Sequence, residues 1–349
     1  MSWKRNVLRL GRIAGAPRML GSLYGSRRLT VLAYHRVAEF DDPGFDTDRR
    51  NVSADPATFR EQMAYLARRF TPIGVDRLIS WLDGDADLPE RPALVTFDDG
   101  YRDNLTTAWP IMREHGVPGL LLLATDVADG GGPFSWDLAA WCFFHTDRTE
   151  VDLPHWGPVG WSDPLERRRV LDHWTERIKA LPHEERDGAC RSLPDLLGVP
   201  VPDDAFDGLY LGWDEVRRLD AEGFAVGAHT MTHPILTRID RAAARAEIEG
   251  SAARIAEMIG RAPRAFAYPN GLEGDIDEAV TGMVGDAGFR VAFTLIPGPA
   301  RPAEVAAHPL AIRRIYIHHS DHIDRFVAKV EGGSRVVSRK RVGRLPGRR

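Results

Sequence analysis

Cysteine is scarce in this chain, and its scarcity limits the kinds of site that the protein can build. Cys142 and Cys190 are the only two cysteines among 349 residues. Two cysteines are too few for a disulfide framework or for a thiolate-based metal centre. A bound metal ion would therefore need histidine and carboxylate ligands.

Long apolar runs are also missing. A membrane-spanning helix needs roughly 18 or more uninterrupted apolar residues, and the apolar run at residues 120–124 is far shorter. Near the N-terminus, the apolar residues between positions 7 and 20 are interrupted by arginines and form no continuous hydrophobic region of the kind found in signal peptides. We therefore expect no transmembrane helix, no signal peptide, and a location in the cytoplasm or peripheral to a membrane.

Acidic residues are absent from both ends of the chain. Residues 1–34 contain seven Lys or Arg, and residues 334–349 contain another seven. The formal net charge is -4, so removing these fourteen positive charges leaves -18 on the rest. We predict basic tails at residues 1–28 and 331–349, which either bind an anionic membrane surface or stay solvated. Nucleic acid is not an expected partner, because the acidic body repels a polyanion and no recognition motif is present.

The chain is long enough and, at 43% hydrophobic residues, apolar enough for one large α/β domain or two small ones. Short apolar runs alternate with helix-like stretches, which is the pattern of parallel strands joined by crossover helices. The pattern predicts an α/β barrel or a doubly wound sheet. The predicted strands are residues 31–34, 93–97, 119–124, 224–227, 265–268, 291–295 and 312–317, and the predicted helices are residues 56–70, 105–115, 213–222 and 241–259.

Residues 129–210 interrupt this alternation, and we interpret them as an insertion. They begin with three glycines, contain several prolines, and show a helical pattern only around residues 164–181. Five of the nine tryptophans lie there: Trp136, Trp141, Trp156, Trp161 and Trp174. Their flat rings could stack on sugars, but packing within a small helical subdomain is the favoured interpretation.

Polar residues follow three of the predicted strands. Asp98 and Asp99 come after one strand, His229 and His233 after another, and Pro269-Asn270-Gly271 after a third. In parallel α/β folds the loops at the carboxyl ends of strands bring such side chains into one cleft. Each group alone is a weak signal, since such sequences also occur in ordinary turns and polar helix starts. Their combination predicts a functional site.

A divalent metal site is the chemistry that these residues favour. His229 and His233 are four apart, so on one helical turn both imidazoles can bind the same cation. Two adjacent carboxylates repel each other unless a cation neutralises them, so the Asp98-Asp99 pair can supply the third ligand and a base. Because Thr230 rather than glutamate follows His229, the pattern differs from that of the zincin proteases.

These residues resemble the motifs of the polysaccharide deacetylase family, also called the NodB homology domain or carbohydrate esterase family 4. Residues 96–100 (Thr-Phe-Asp-Asp-Gly) are similar to its first motif and residues 229–233 to its second. The resemblance implies a distorted (β/α) barrel of about seven strands, spanning residues 29–330 around the insertion at 129–210. It further implies Asp98 as general base and Asp99, His229 and His233 as ligands of a divalent ion, most favourably zinc, with nickel, cobalt and iron as alternatives.

The third motif is matched less completely. Residues 268–271 (Tyr-Pro-Asn-Gly) are similar to its shorter form, which implies that the backbone N–H of Asn270 binds the oxyanion; an ordinary turn is the alternative. Ala267 stands where the family usually has arginine, and the downstream Asp-Trp motif is missing. Arg314 is a candidate to orient Asp98 instead, with a surface-exposed arginine as the other interpretation.

The general acid and the substrate complete the expectations. Residues 34–37 (Tyr-His-Arg-Val) resemble a branch that includes poly-N-acetylglucosamine deacetylases, which implies His35 as general acid; His318 and His319 compete for this role. The implied reaction releases acetate from an N-acetylated polysaccharide or oligosaccharide. The alternatives are an amidase acting on a small or lipid-linked molecule, an inactive carbohydrate-binding relative, and a membrane-surface assembly factor.

Overall fold

The computed structural model of the chain describes residues 28–41 and 45–333. The predicted tails at residues 1–28 and 331–349 lie outside the described residues except for residues 28 and 331–333. The tail and domain boundaries therefore stay predictions.

The described residues form strands and helices that alternate along most of the chain. The strands are β1 (Thr30–Tyr34), β2 (Arg36–Val37), β3 (Val52–Ala54), β4 (Thr71–Pro72), β5 (Pro92–Asp99), β6 (Gly119–Leu123), β7 (Glu150–Leu153), β8 (Gly157–Gly160), β9 (Ala225–Ala228), β10 (Ala265–Ala267), β11 (Val291–Pro297) and β12 (Ile312–Tyr316). The helices are α1 (Pro56–Arg69), α2 (Val75–Asp83), α3 (Trp109–Glu114), α4 (Thr125–Ala128), α5 (Ser135–His145), α6 (Pro164–Ile178), α7 (His183–Arg191), α8 (Leu193–Leu197), α9 (Trp213–Ala221), α10 (Arg241–Ile259), α11 (Glu278–Asp286), α12 (Pro302–Ala307) and α13 (Ile323–Ala328). Short 3-10 turns occupy Arg49–Asn51 and Leu236–Arg238, and π-helical turns occupy Asn104–Ala108 and Lys329–Gly333.

Seven of the strands close into a parallel barrel. Around the barrel their order is β1, β12, β11, β10, β9, β6 and β5, and β5 pairs back onto β1 from Thr30 opposite Ala93 to Tyr34 opposite Phe97. The short strand β4 adds to the start of β5. This closure confirms the predicted (β/α) barrel. A doubly wound sheet is open and has two unpaired edge strands, so the pairing of β5 with β1 excludes it.

Alternation of side chains along the strands separates the barrel interior from the outer layer. Val31, Leu94 and Phe293 belong to one apolar cluster, which α2 joins through its own apolar face. The intervening residues pack instead in a second cluster that the crossover helices, including α1, cover. The interior positions of β5 continue from Leu94 to Thr96 and Asp98, so polar groups replace apolar ones towards the carboxyl end of the barrel.

Helix boundaries follow the capping residues. The Asp55 carboxylate accepts a hydrogen bond from the Thr58 N–H (2.8 Å), and Pro56 begins α1. Asp240 caps α10 in the same way through the Ala243 N–H (2.9 Å), and Gly260 in the left-handed region ends it. Several of these elements, among them α2 and α11, had no counterpart in the predicted pattern.

The predicted insertion contains more regular structure than its sequence indicated. Helices α5 to α8 and the antiparallel hairpin β7–β8 share a hydrophobic cluster of their own, in which Trp161, Trp174 and the two free cysteines are buried. The pattern missed α5 because its sequence, SWDLAAWCFFH, is apolar on every side and so lacks amphipathic periodicity. Packing is confirmed as the role of Trp161 and Trp174, whereas Trp156 is exposed.

Across residues 28–41 and 45–333, none of the helices combines the length and apolar character that crossing a bilayer requires.

Candidate metal centre

The carboxyl ends of four barrel strands place the predicted site residues together. His35 directly follows β1, Asp98 and Asp99 end β5, His229 follows β9, and Asn270 lies three residues after β10. Since β9 is linked to β5 through β6, and β5 pairs with β1, these ends lie on neighbouring parts of one barrel rim. The site therefore occupies the end of the barrel where functional loops normally gather.

Three side chains converge closely enough to hold one metal ion. The Nε2 atoms of His229 and His233 each lie 3.6 Å from Asp99 Oδ1. One donor atom from each of the three residues lies within 4.8 Å of the others. Asp99 Oδ1 is buried and has no hydrogen-bond donor among the described residues. Two imidazoles and one carboxylate are a donor set that zinc and related ions bind.

The histidine pair is carried by a loop, and the predicted helical turn is wrong. Thr230 and His233 have positive φ values of 70° and 62°, which a right-handed helix does not allow. The His229 N–H donates to the Leu123 carbonyl (2.8 Å), and the His233 N–H donates to Thr230 Oγ1 (3.0 Å). The loop, rather than helical spacing, turns both rings towards Asp99.

Both imidazoles are set up as neutral ligands. His229 Nδ1 lies 2.8 Å from the Ala267 carbonyl, so Nδ1 carries the hydrogen and Nε2 presents its lone pair to Asp99. Burial lowers the pKa of His229, and burial together with the neighbouring His229 lowers the pKa of His233 well below its ordinary value. An unprotonated ring is the form that binds a cation.

Asp99 is destabilised as an anion in the absence of a cation. Burial raises its pKa well above the ordinary value, and the negative charges of Asp98 and Asp137 add to the rise. Its φ of 80° is a conformation that residues other than glycine rarely adopt. A buried, unpartnered and strained carboxylate facing two neutral imidazoles fits a divalent ion.

Asp98 is held by Arg314 in a buried ion pair. Arg314 Nη1 and Nη2 donate to the two carboxylate oxygens at 2.6 and 2.8 Å. The guanidinium also donates to Thr96 Oγ1 and to the Thr294 carbonyl, both at 3.0 Å. Burial alone would raise the pKa of Asp98, but the positive charge of Arg314 outweighs it and keeps the pKa below its ordinary value. Arg314 is fully buried, so the interpretation of a surface-exposed arginine is wrong.

His35 lies beside the carboxylate of Asp99. Its Nε2 lies 3.9 Å from Asp99 Oδ2. Burial lowers the pKa of His35 to about 4, opposed by the charge of Asp98. His318, in contrast, has its Nδ1 at 2.9 Å from Ser320 Oγ, and the His319 ring packs against Phe40 at 4.9 Å between centroids.

Asn270 lies in a tight turn with positive φ values that packs closely against β11. Its φ is 60°, and its side-chain amide donates to Asp275 Oδ2 at 2.5 Å. Gly271 also has a positive φ, and a Cβ there would lie 2.9 Å from the backbone nitrogen of Leu295. No acceptor among the described residues receives the Asn270 backbone N–H.

An aromatic wall beside the histidines was not predicted as part of the site. The Trp136 ring lies 5.0 Å from the His233 ring and stacks on Phe134 at 4.4 Å. Its Nε1 donates to Tyr101 Oη (2.8 Å), and Tyr101 Oη donates to Asp137 Oδ2 (2.7 Å). The position of Tyr101 directly after Asp98-Asp99-Gly100 was the one sequence signal that could have identified it.

Comparisons with known proteins agree with this architecture. The family model "Polysaccharide deacetylase" matches residues 170–292, a range that includes His229, His233 and Asn270 but not Asp98 and Asp99. The poly-beta-1,6-N-acetyl-D-glucosamine N-deacetylase of Escherichia coli (strain K12) is 31% identical over 74 residues, which is 21% of this chain and 11% of that protein. The chain thus spans only a small part of this curated relative.

Solved structures extend the similarity to nearly the whole chain. The Streptococcus pyogenes deacetylase PplD is 13% identical with a TM-score of 0.59, covering 88% of this chain and 99% of that one. IcaB from Ammonifex degensii is 18% identical with a TM-score of 0.54, covering 88% and 98%. A de-N-acetylase from Aggregatibacter actinomycetemcomitans is 15% identical with a TM-score of 0.55, covering 86% and 99%. At these identities the likeness establishes a common fold.

Proposed function

We propose that this chain, which is related to the polysaccharide deacetylase family, hydrolyses the N-acetyl groups of an amino-sugar polysaccharide or oligosaccharide and releases acetate. The observation that carries the proposal is the convergence of Asp99, His229 and His233 beside a second carboxylate, Asp98, that Arg314 holds. The deacetylase names of the relatives support the reaction class.

Asp99, His229 and His233 would hold the divalent ion, for which zinc is the favoured identity and nickel, cobalt and iron are the alternatives. A divalent ion bound there polarises an acetamido carbonyl and lowers the pKa of a water molecule. The neutral imidazoles and the unpartnered Asp99 oxygen are the features of this chain that suit it.

Asp98 is the proposed general base. Because Arg314 lowers its pKa, the carboxylate is ionised at neutral pH and can accept a proton from the attacking water. The two hydrogen bonds from Arg314 also fix the direction of the carboxylate, so it does not turn away to become a ligand.

His35 and Asn270 complete the proposed machinery. His35, whose Nε2 lies 3.9 Å from Asp99 Oδ2, would in its protonated form deliver a proton to the departing amine. The backbone N–H of Asn270, which has no acceptor among the described residues, donates to the oxyanion. One donor of this kind typically contributes about 3 kcal/mol of transition-state stabilisation.

The test is mass spectrometry of N-acetylated glucosamine oligosaccharides after incubation with zinc-loaded protein. We expect the loss of one acetyl mass per reacted sugar, and the reaction should stop in the presence of a chelator and resume when zinc is restored. The Asp98→Asn variant should bind zinc as the unmodified chain does but turn over at least about 100-fold more slowly. Asp195→Asn, an exposed carboxylate of α8, serves as the control and should retain full activity.

Other outcomes would identify the alternatives. Oligosaccharide binding without acetate release would indicate a carbohydrate-binding relative. Faster hydrolysis of simple acetamides or lipid-linked sugars than of oligosaccharides would indicate an amidase that acts on a small or lipid-linked molecule. Full activity of Asp98→Asn would remove this residue from the role of base.

A further inference from the structure

Helix α10 contacts two of the three residues between the histidines, Met231 and Thr232. We call them the bridging segment, because they connect the strained Thr230 to His233. The segment does not belong to a helix or strand, so its conformation depends on contacts with its surroundings. Those contacts come mainly from Glu247 and Gly250, which lie three positions apart on one face of α10.

Glu247 binds the bridging segment through three hydrogen bonds. Its Oε2 accepts from the backbone N–H groups of Met231 (2.8 Å) and Thr232 (2.9 Å), and its Oε1 accepts from Thr232 Oγ1 (2.6 Å). Hydrogen bonds to an ionised carboxylate are stronger than those between neutral groups. One side chain therefore satisfies both backbone donors of the segment.

Gly250 lets the Met231 side chain lie against the helix. A Cβ at position 250 would come within 2.2 Å of Met231 Sδ, far closer than atoms can approach. Glycine in the middle of a helix is less stable than alanine. The close contact with Met231 explains why glycine occupies position 250 although it stabilises the helix less than alanine would.

The opposite side of the loop is held by α4. The Thr125 N–H donates to the Thr230 carbonyl (3.1 Å), and the Asp126 N–H donates to the Met231 carbonyl (3.0 Å). The loop thus has donors of α4 on one side and the Glu247 carboxylate on the other. Such support is what keeps residues in sparsely populated, energetically costly φ values.

We propose that Glu247 is a positioning residue that preorganises His229 and His233 for one divalent cation, acting through the bridging segment without touching the ion. The inference rests on the proposed metal site. Without Glu247, the two N–H groups lose their acceptor, and Thr230 and His233 on either side of the bridging segment can leave their positive-φ conformations. The imidazoles of His229 and His233 would then become ordered only when the cation binds. This ordering lowers the free energy gained on binding, so the affinity for the cation falls.

The test measures Zn²⁺ affinity of the purified full chain by competition with a chromophoric chelator, together with the visible spectrum of the Co²⁺ form. We expect Glu247→Ala to weaken Zn²⁺ binding about 10- to 100-fold, as loss of a group supporting a metal ligand typically does, and to alter the Co²⁺ spectrum. Glu247→Gln should restore affinity to within about threefold of the unmodified chain, because one amide oxygen can accept both N–H groups.

Glu249→Ala is the matched control. Glu249 lies on the exposed side of α10, paired with Arg245 at 3.1 Å, and should bind Zn²⁺ like the unmodified chain. Thr232→Val removes a single bond without altering the helix, and should give a smaller loss than Glu247→Ala. This variant keeps the proposal testable if Glu247→Ala does not fold.

The outcomes separate this inference from the proposed function. An unmodified chain that bound no Zn²⁺ would overturn the metal site itself. If the unmodified chain bound Zn²⁺ and Glu247→Ala bound it equally well, the positioning role would be wrong while the site remained. Equal weakening by the alanine and glutamine variants would rule out hydrogen bonding as its basis.

Discussion

Two adjacent carboxylates in this protein have opposite electrostatic environments. Asp98 is paired with a buried arginine, whereas Asp99 faces two neutral imidazoles and another negative charge, so their pKa values shift in opposite directions. Pairs separated in this way commonly divide acid–base work between them. Here Asp98 stays ionised beside Arg314, as the proposed base requires, and Asp99 has no counterion of its own, which fits the proposed cation site.

Replacing Arg314 tests how much the buried ion pair with Asp98 contributes to stability. Arg314→Met should lower the free energy of unfolding by about 3–5 kcal/mol, because it leaves the buried Asp98 without its counterion. The measurement is urea unfolding at pH 7. Arg313→Met, the adjacent position on β12, is the control and should have a much smaller effect.

A second variant separates loss of the ion pair from loss of packing. Asp98→Asn combined with Arg314→Met should recover much of the stability, since no buried charge is left unpaired. If Arg314→Met alone were as stable as the unmodified chain, the ion pair would not be needed to hold Asp98 in the barrel.

At the scale of secondary structure, helix α5 connects the insertion to the metal centre. Its first turn contributes Trp136, which packs on His233, and Asp137, which accepts hydrogen bonds from Tyr101 and Tyr210 at 2.7 Å each. The rest of α5 packs in the core of the insertion. Helix α5 therefore links the core of the insertion to His233 through Trp136.

The buried Asp137 predicts a pH dependence of stability. Burial raises its pKa to about 6, opposed by the charge of Arg36, while an unfolded aspartate titrates near ~3.9. Between these values the folded state binds more protons than the unfolded state. The free energy of unfolding should therefore fall as pH rises through this interval, by up to about 3 kcal/mol from this group.

Urea unfolding at pH 4.5, 5.5 and 6.5 measures this contribution. Asp137→Asn cannot titrate, so its stability should fall less across the series than that of the unmodified chain. Asp152→Asn, an exposed change in β7, should leave the slope as it is. Identical slopes for Asp137→Asn and the unmodified chain would assign the pH dependence to other groups.

At the scale of the whole molecule, charge is divided between the body and the ends of the chain. The two ends contain fourteen basic residues without an acid, while the remainder has a net charge of -18. Binding of these basic ends to anionic lipid stays a prediction, in which each Lys or Arg near the surface contributes about 1 kcal/mol. The acidic body would be repelled by the same surface.

Vesicle sedimentation with the full chain tests this division. The variant has glutamine in place of all fourteen basic residues of the two ends, seven at positions 4–28 and seven at positions 335–349. It should no longer bind vesicles that contain anionic lipid. Deacetylation of a soluble oligosaccharide should be unaffected. Equal sedimentation of the exchanged and unmodified chains would show that the basic ends do not bind lipid, and binding to purely neutral vesicles would exclude an electrostatic basis.

The seven barrel strands and the metal-binding trio were accessible from the sequence because their signals are local. Apolar runs of strand length can be recognised within a few residues. Asp99 ends β5, His229 directly follows β9, and His233 lies five residues after β9 ends. Parallel strands bring their carboxyl ends to one rim, so locally detected motifs could be combined into one site. The roles of His35 and Asn270 stay predictions on the same basis.

Partners that packing selects were only partly accessible from the sequence. Arg314 was a candidate to orient Asp98, but its neighbours in the sequence do not distinguish it from a surface arginine, so only the buried ion pair across 216 positions decided its role. Glu247 resembles any acidic residue of an amphipathic helix, and Trp136 is one of five tryptophans in the insertion, so neither was identified as a site residue.

The sequence by itself determined the order of the seven barrel strands and of helices α1, α3, α9 and α10, and the kinds of side chain at the strand ends, because backbone preferences and side-chain alternation act over a few residues. Only the tertiary structure decided that the sheet closes into a barrel, that a loop rather than a helix aims the histidines, and that Arg314, Glu247 and Trp136 support the site. These features depend on contacts between distant segments, whose free energies arise only when the core has formed.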